Sequence, residues 1–166
     1  MLASPARSLD LQSPLCSPPF VVPPKTPVMA KQPWYQDGLK FECTACGDCC
    51  GGAPGYVWVE PQEIAALAQE LGLSVEAFER QYVRQVEEQK SLIEHADGDC
   101  IFLDPQTRKC SVYAGRPTQC RTWPFWDSNL ASRRDWEWAC RVCPGSGVGK
   151  LYSFDEIEIQ RKSKQV

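Results

Sequence analysis

Apolar positions fall into short runs along this chain, and their spacing changes from one run to the next. Tyr56-Val57-Trp58-Val59 alternates and is rich in strand formers, which predicts a strand. Ile64, Leu67, Ala68 and Leu71 then recur at i, i+3, i+4 and i+7, the stripe of an amphipathic helix. Pro61 suits its first turn, and Gly72 stops it. Ser74 predicts the cap of a second helix, with Leu73 stapled onto Phe78 and an inner face continuing through Tyr82 and Val86. That helical region is expected to end near His95, the single histidine. Cys100-Ile101-Phe102-Leu103 and Cys110-Ser111-Val112-Tyr113 flank polar residues 104–109. They read as a β-hairpin that sets Cys100 opposite Cys110. Ser153-Phe154-Asp155-Glu156 is a capping box opening a short C-terminal helix, with Tyr152 stapled to Ile157. The pattern defines a small α+β fold of short helices and a β-hairpin.

Composition adds a boundary. Residues 1–33 hold eight of the 14 prolines and a single acidic residue, Asp10, so they cannot bury a core and read as a disordered leader. Residues 34–160 form the folded domain, and 161–166 a flexible tail. The leader is either dispensable, with Met29 as the true start, or an organelle transit peptide. It lacks an unbroken apolar run of the signal-peptide kind, so the expected location is cytoplasmic, or an organelle if the leader is a targeting segment. A net charge of -3 leaves no basic surplus for nucleic acid, and no apolar run reaches membrane-spanning length.

Ten cysteines change the picture most. Cys43, Cys46, Cys49 and Cys50 lie within residues 43–50, with the C-x2-C step taken twice. Such loops strain an internal disulfide but turn two sulfurs onto one cation. Adjacent side chains diverge, so Cys49 and Cys50 are suited to different metals or to opposite sides of one cluster. Cys100, Cys110, Cys120, Cys140 and Cys143 complete a set of nine, whereas Cys16 sits alone in the leader and is excluded. A tetrathiolate zinc site uses four ligands and a four-iron cluster also uses four. Nine thiols therefore suffice for two centres, or one polynuclear centre, with one to spare; a single centre instead leaves five thiols as buried structural cysteines. The short helices and β-hairpin are expected to pack around this cysteine-ligated metal site. Ligand type alone does not separate zinc from iron–sulfur chemistry. Trp123, Phe125, Trp126, Trp136 and Trp138 form either a water-excluding sleeve or an ordinary core. Arg116, Arg121 and Arg141 stand near the ligand candidates and either offset thiolate charge or are plain surface arginines. The glycines after Pro144 fail the phosphate-loop pattern and instead let the backbone pass close beside Cys143.

Together, Cys43-x2-Cys46-x2-Cys49-Cys50, Cys100-Ile101-Phe102-Leu103, Cys110 with Tyr113, Arg116-Pro117-x2-Cys120-Arg121 with Pro124-Phe125, and Cys143-Pro144-Gly145 with Gly147 and Gly149 resemble the cysteine-cluster (CxxCxxCC, YkgJ-like) family over about residues 41–160. The resemblance implies a small domain that chelates zinc or iron, including the option of a 4Fe-4S cluster. Cys140 stands outside the shared pattern. Related domains occur in flagellin lysine N-methylases, so the alternative is a cluster-dependent enzyme, lysine N-methylase-like or redox-active. The implied partners are metal ions and an unidentified protein. Neither a Gly-rich S-adenosylmethionine turn nor a C-x3-C-x2-C radical loop is visible, so no catalytic residue is assigned.

Overall fold

The computed structural model describes residues 32–52 and 54–164; the Pro-rich leader with Cys16 and Met29 lies outside them. Mixed short helices and two two-stranded antiparallel sheets surround two hydrophobic clusters.

The first cluster grows from the predicted helical stripe. Helix α1 (Pro61–Glu70) starts with Pro61 and buries Ile64, Leu67 and Ala68. Leu71, the fourth stripe position, lies past the helix end and is 37% exposed. Gly72 at φ 68° ends the helix as expected. Helix α2 (Val75–Tyr82) is capped by Ser74, whose hydroxyl accepts from the Ala77 amide at 3.2 Å. It stops at Tyr82 instead of running on to Val86. Val83–Val86 is strand β2, paired antiparallel with β3 (Gln89–Leu92) through a turn at Glu87 and Glu88. Val57 and Val59 add backbone bonds to β3, but only as an isolated bridge at Trp58 and Ser91, so the predicted 56–59 strand is reduced to a bridge. Phe78, Leu92, Phe102 and Val112 close this cluster, with Cys100 and Cys110 packed against it.

The predicted 100–113 hairpin is corrected. Its ladder is one bridge, Leu103 to Cys110, while Cys100 bridges Glu94. The cause is Asp104, whose Oδ1 accepts from the Gln106 amide and from both the amide and hydroxyl of Thr107. These bonds tie the turn to its first residue and close the loop at Leu103, away from Cys100. His95 sits in a turn, its amide bonded to the Asp99 carbonyl, and not at a helix end.

The second cluster gathers Tyr35, Phe125, Leu130, Trp136 and Ile157. Three helices here were not expected from the sequence: α3 (Thr118–Thr122), α4 (Asp127–Leu130) and α5 (Arg133–Val142), although Trp136, Ala139, Cys140 and Cys143 fall at i, i+3, i+4 and i+7 along and just past α5. Ser132 caps α5, and its helical turn buries Trp136 and Ala139 while leaving Trp138 58% exposed. Strand β1 (Leu39–Phe41) pairs with β4 (Lys150–Tyr152), and α6 (Phe154–Ser163) follows with the expected capping box and a fully buried Ile157. Helix α6 therefore takes in residues 161–163, and Arg161 on its last turn pairs with Glu158 and Asp127.

Candidate metal centre

A 3-10 turn at Asp48–Cys50 carries the cysteine run. Two left-handed residues, Ala45 at φ 54° and Gly47 at φ 81°, bend the two C-x2-C steps. The Cys50 amide returns to the Gly47 carbonyl at 2.9 Å, which closes the turn. Gly47 is required for a second reason: a Cβ there would collide with the Arg108 carbonyl oxygen and come within 2.9 Å of Leu103. The turn is thus seated on the 104–109 loop, next to Cys110. Cys100 is drawn to the same turn by its amide, which donates to the Cys50 carbonyl at 2.8 Å.

The remaining thiols of the set arrive on helices α3 and α5. Cys120 lies on α3, positioned by Gln119, whose side chain accepts from the Trp58 amide and donates to the Tyr56 carbonyl. Cys143 terminates α5, its amide bonded to the Ala139 carbonyl. The loop beyond it lies flat along the chain next to β1: the Glu42 amide donates to the Gly145 carbonyl, and the Gly147 amide to the Lys40 carbonyl. A side chain at Gly145 would strike the Glu42 carbonyl oxygen, so the glycines bring Cys143 in by close backbone approach.

Seven cysteines, Cys43, Cys46, Cys49, Cys50, Cys110, Cys120 and Cys143, line one cavity of about 230 Å³. Cys100 joins Cys49 and Cys50 in the wall of a neighbouring cavity of about 270 Å³. Cys140 lines neither, and packs against the second hydrophobic cluster instead. None of the nine is in a disulfide. The Cys49 and Cys50 sulfurs stand 3.9 Å apart. Yet among the described residues no group of three or more His, Cys, Asp or Glu side chains is placed to hold a metal ion, so of the expected fold packed around a cysteine-ligated metal site the mixed fold is seen and a closed ligand set is not. His95 lines a separate hollow with Asp97 and Asp99. Of the three arginines weighed from sequence, only Arg116 reaches the thiol cavity; Arg121 and Arg141 are exposed.

The cavity carries contacts that sequence reasoning missed. The Tyr113 hydroxyl hydrogen-bonds the Cys43 sulfur at 3.2 Å, and the Arg116 guanidinium lies 3.5 Å from the centre of the Tyr113 ring. Arg108 and Lys109 join Arg116 at the cavity, and Arg108 is anchored by Asp99. Trp123 forms part of the wall. Burial works to raise the Cys43 thiol, but bonds from Tyr113 and the Ala45 amide, with Arg116 nearby, bring it below its ordinary value. Cys50 is pulled down to about 7 by the bond from Cys49, against burial and with help from Arg116 and Arg108. Cys49 is pushed up, first by donating to Cys50 and then by burial. Burial is also the leading cause that raises Cys100 to about 11, and that raises Cys110 and Cys120. Unloaded, the cluster holds both ionisable and strongly protonated thiols, and a metal would have to displace protons from the latter.

A small α+β domain with most of its thiols turned into one cavity has the donor chemistry of a metal-chelating protein: soft thiolates, which suit zinc and iron. The chain belongs to the CxxCxxCC family, described as a "putative zinc- or iron-chelating domain", whose sequence model matches residues 42–144. An uncharacterized protein of Methanocaldococcus jannaschii is 34% identical over 126 residues, covering 74% of this chain and 66% of that protein, just under two thirds of its length. No solved structure matches. Among the described residues, no helix is long and apolar enough to cross a membrane.

Proposed function

We propose that the domain binds zinc or iron through eight cysteine thiolates and holds either one polynuclear centre or two centres. The carrying observation is the cavity lined by seven of them, with Cys100 adjoining across Cys49 and Cys50. Sulfurs around one tetrahedral zinc stand about 3.8 Å apart, because each Zn–S bond is about 2.3 Å. The Cys49 and Cys50 sulfurs match that spacing at 3.9 Å, yet no three potential ligands among the described residues are placed to hold one ion. The half-open pocket of about 230 Å³ also has room for more than one ion. Both facts favour a larger centre, such as a 4Fe-4S cluster or a zinc pair. Eight thiols make two sets of four, and Cys140 is the spare. The cofactor would supply fixed positive charge or electron transfer; the chain supplies thiolates, a basic Arg108 and Arg116 border, and aromatic shielding. The Tyr113–Cys43 bond and the basic border also suit a partner protein that exchanges metal or electrons with the site.

Metal analysis of anaerobically purified protein, read with its visible spectrum, tests this. Iron with broad absorption near ~400 nm marks a cluster, and colourless protein with stoichiometric zinc marks tetrathiolate sites. Cys46→Ser lowers metal content and Cys140→Ser leaves it unchanged. Metal-free wild-type protein sinks the proposal, as does a Cys46→Ser protein that keeps its full metal load.

A further inference from the structure

Two buried or half-buried tryptophans of this domain satisfy their indole N–H groups within the protein. Trp34 donates to the Leu130 carbonyl at 2.8 Å, and Trp126 to the Gln119 carbonyl at 3.0 Å and the Thr122 hydroxyl at 3.3 Å. Trp123 does not. Its side chain is 9% exposed, it lines the thiol cavity, and its Nε1 is buried with no acceptor. An orphaned buried donor costs about 1–3 kcal/mol. Trp123 and Trp126 meet edge to face at 4.8 Å between ring centres, but Trp123 lines the thiol cavity and Trp126 the neighbouring one, so the two adjacent indoles serve as a matched pair. The cavity that Trp123 lines is rich in sulfur: seven cysteines share it, while Arg108, Lys109 and Arg116 are donors, Tyr113 already donates to Cys43, and Thr44 adds the one other accepting side chain.

We propose that the Trp123 indole N–H donates to a sulfur of the metal-loaded cluster, a cysteine thiolate or a bridging sulfide. Trp123 is thus a positioning residue outside the ligand set. The inference rests on the proposed metal reading. An N–H donor to a ligated sulfur withdraws charge from it, and partners of this outer kind are worth about 10–100-fold in metal affinity. The same bond raises the reduction potential of an iron–sulfur centre. Together with the Tyr113 hydroxyl on Cys43, it would give the cavity a sulfur-directed donor from each of two separate segments.

The test compares wild type, Trp123→Phe and Trp126→Phe, each with its metal content measured. The Phe ring keeps the wall and removes the donor. Trp123→Phe is expected to load the same number of ions and to lose them to a chelator about 10-fold more readily. If the protein carries an iron–sulfur centre, its potential becomes more negative. Trp126→Phe, whose N–H serves the protein itself, is expected to lower stability without either change. In wild-type protein titrated with zinc, the backbone-assigned Trp123 indole proton should shift and exchange more slowly as the ions bind; this holds even if Trp123→Phe fails to fold. An indole resonance unmoved by zinc in protein that binds it, or a Trp123→Phe protein with wild-type chelator release and potential, overturns this inference and leaves the metal reading standing. Metal-free wild type that also takes up no zinc overturns both.

Discussion

Gly47→Ala probes the element on which the site is built. Gly47 sits at φ 81° between Cys46 and Cys49, and a Cβ there meets the Arg108 carbonyl oxygen and lies 2.9 Å from Leu103 Cδ1. Two costs add. An alanine held in the left-handed region is worth about 1–2 kcal/mol of destabilisation. Forcing an extra methyl against backbone is worth about 1–3 kcal/mol more, because a carbonyl cannot swing aside as a side-chain end can. The total is about 2–5 kcal/mol, a large part of a domain's whole stability of about 5–15 kcal/mol.

Gly72→Ala separates the two costs. Gly72 has φ 68° but open space around it, so only the conformational cost of about 1–2 kcal/mol applies. Urea unfolding of both variants and wild type, with equal m-values, gives the difference as the price of collision, about 1–3 kcal/mol. Gly47→Ala should also lose metal while Gly72→Ala retains it, because only the first moves the turn bearing Cys49 and Cys50. Equal destabilisation of the two variants would show that the turn does not press on the 104–109 loop, and would refute the reasoning.

Three further outcomes are expected. Ile157→Ala, at a fully buried position of the second cluster, lowers unfolding free energy by about 2–5 kcal/mol in chemical denaturation; a loss under 1 kcal/mol contradicts the packing described. Glu158 is held down to about 2, first by its bond with Arg161, so its folded value lies below the ordinary 4.5. Its contribution is therefore complete above about pH 4.5 and is lost as pH falls toward about 2. Glu158→Gln should flatten that acid limb and cost about 1–2 kcal/mol at neutral pH, measured by unfolding midpoints across pH. Stripping metal with a chelator lowers the thermal midpoint and the near-ultraviolet tryptophan signal together, with recovery on reloading; an unchanged midpoint argues against a structural role for the centre.

The helices read from sequence have their ends written in side chains, although a side-chain cap was not enough for α5, whose Ser132 stands in a polar stretch that looked like a loop. Pro61 with Gly72 bounds α1, Ser74 caps α2, and the Ser153–Glu156 box opens α6. The β2–β3 hairpin was hidden because its turn uses Glu87 at φ 52°, where glycine or asparagine is the usual signal. Val83 and Val86, three apart, also fit a helical face, so the pattern pointed to a longer α2. Helices α3 and α4 span five and four residues, too short for a period to show. The cysteine set was legible from spacing, but its division was not. That Cys140 turns toward the second cluster depends on the rotation of α5, and that Cys100 meets Cys50 depends on one backbone bond. Tyr113 meets Cys43 from 70 residues away in the chain, a pairing that no local pattern announces.

The division of the core gives the proposed centre a mechanical role. Cys100 and Cys110 pack against the cluster of α1, α2 and Phe102, whereas Phe41, a neighbour of the thiols in the cavity wall, packs with Phe125, Trp136 and Ile157. Each cluster is small, and a domain of this size that splits its buried apolar surface in two has less cooperative stability than one continuous core would supply. Cys143 ends α5, whose Trp136 belongs to the second cluster, whereas Cys110 lies in the loop on the first side and Cys120 on α3, which bonds to Glu63, Tyr56 and Trp58. A centre ligated from both sides would join the clusters through bonds that no apolar contact at the cavity replaces.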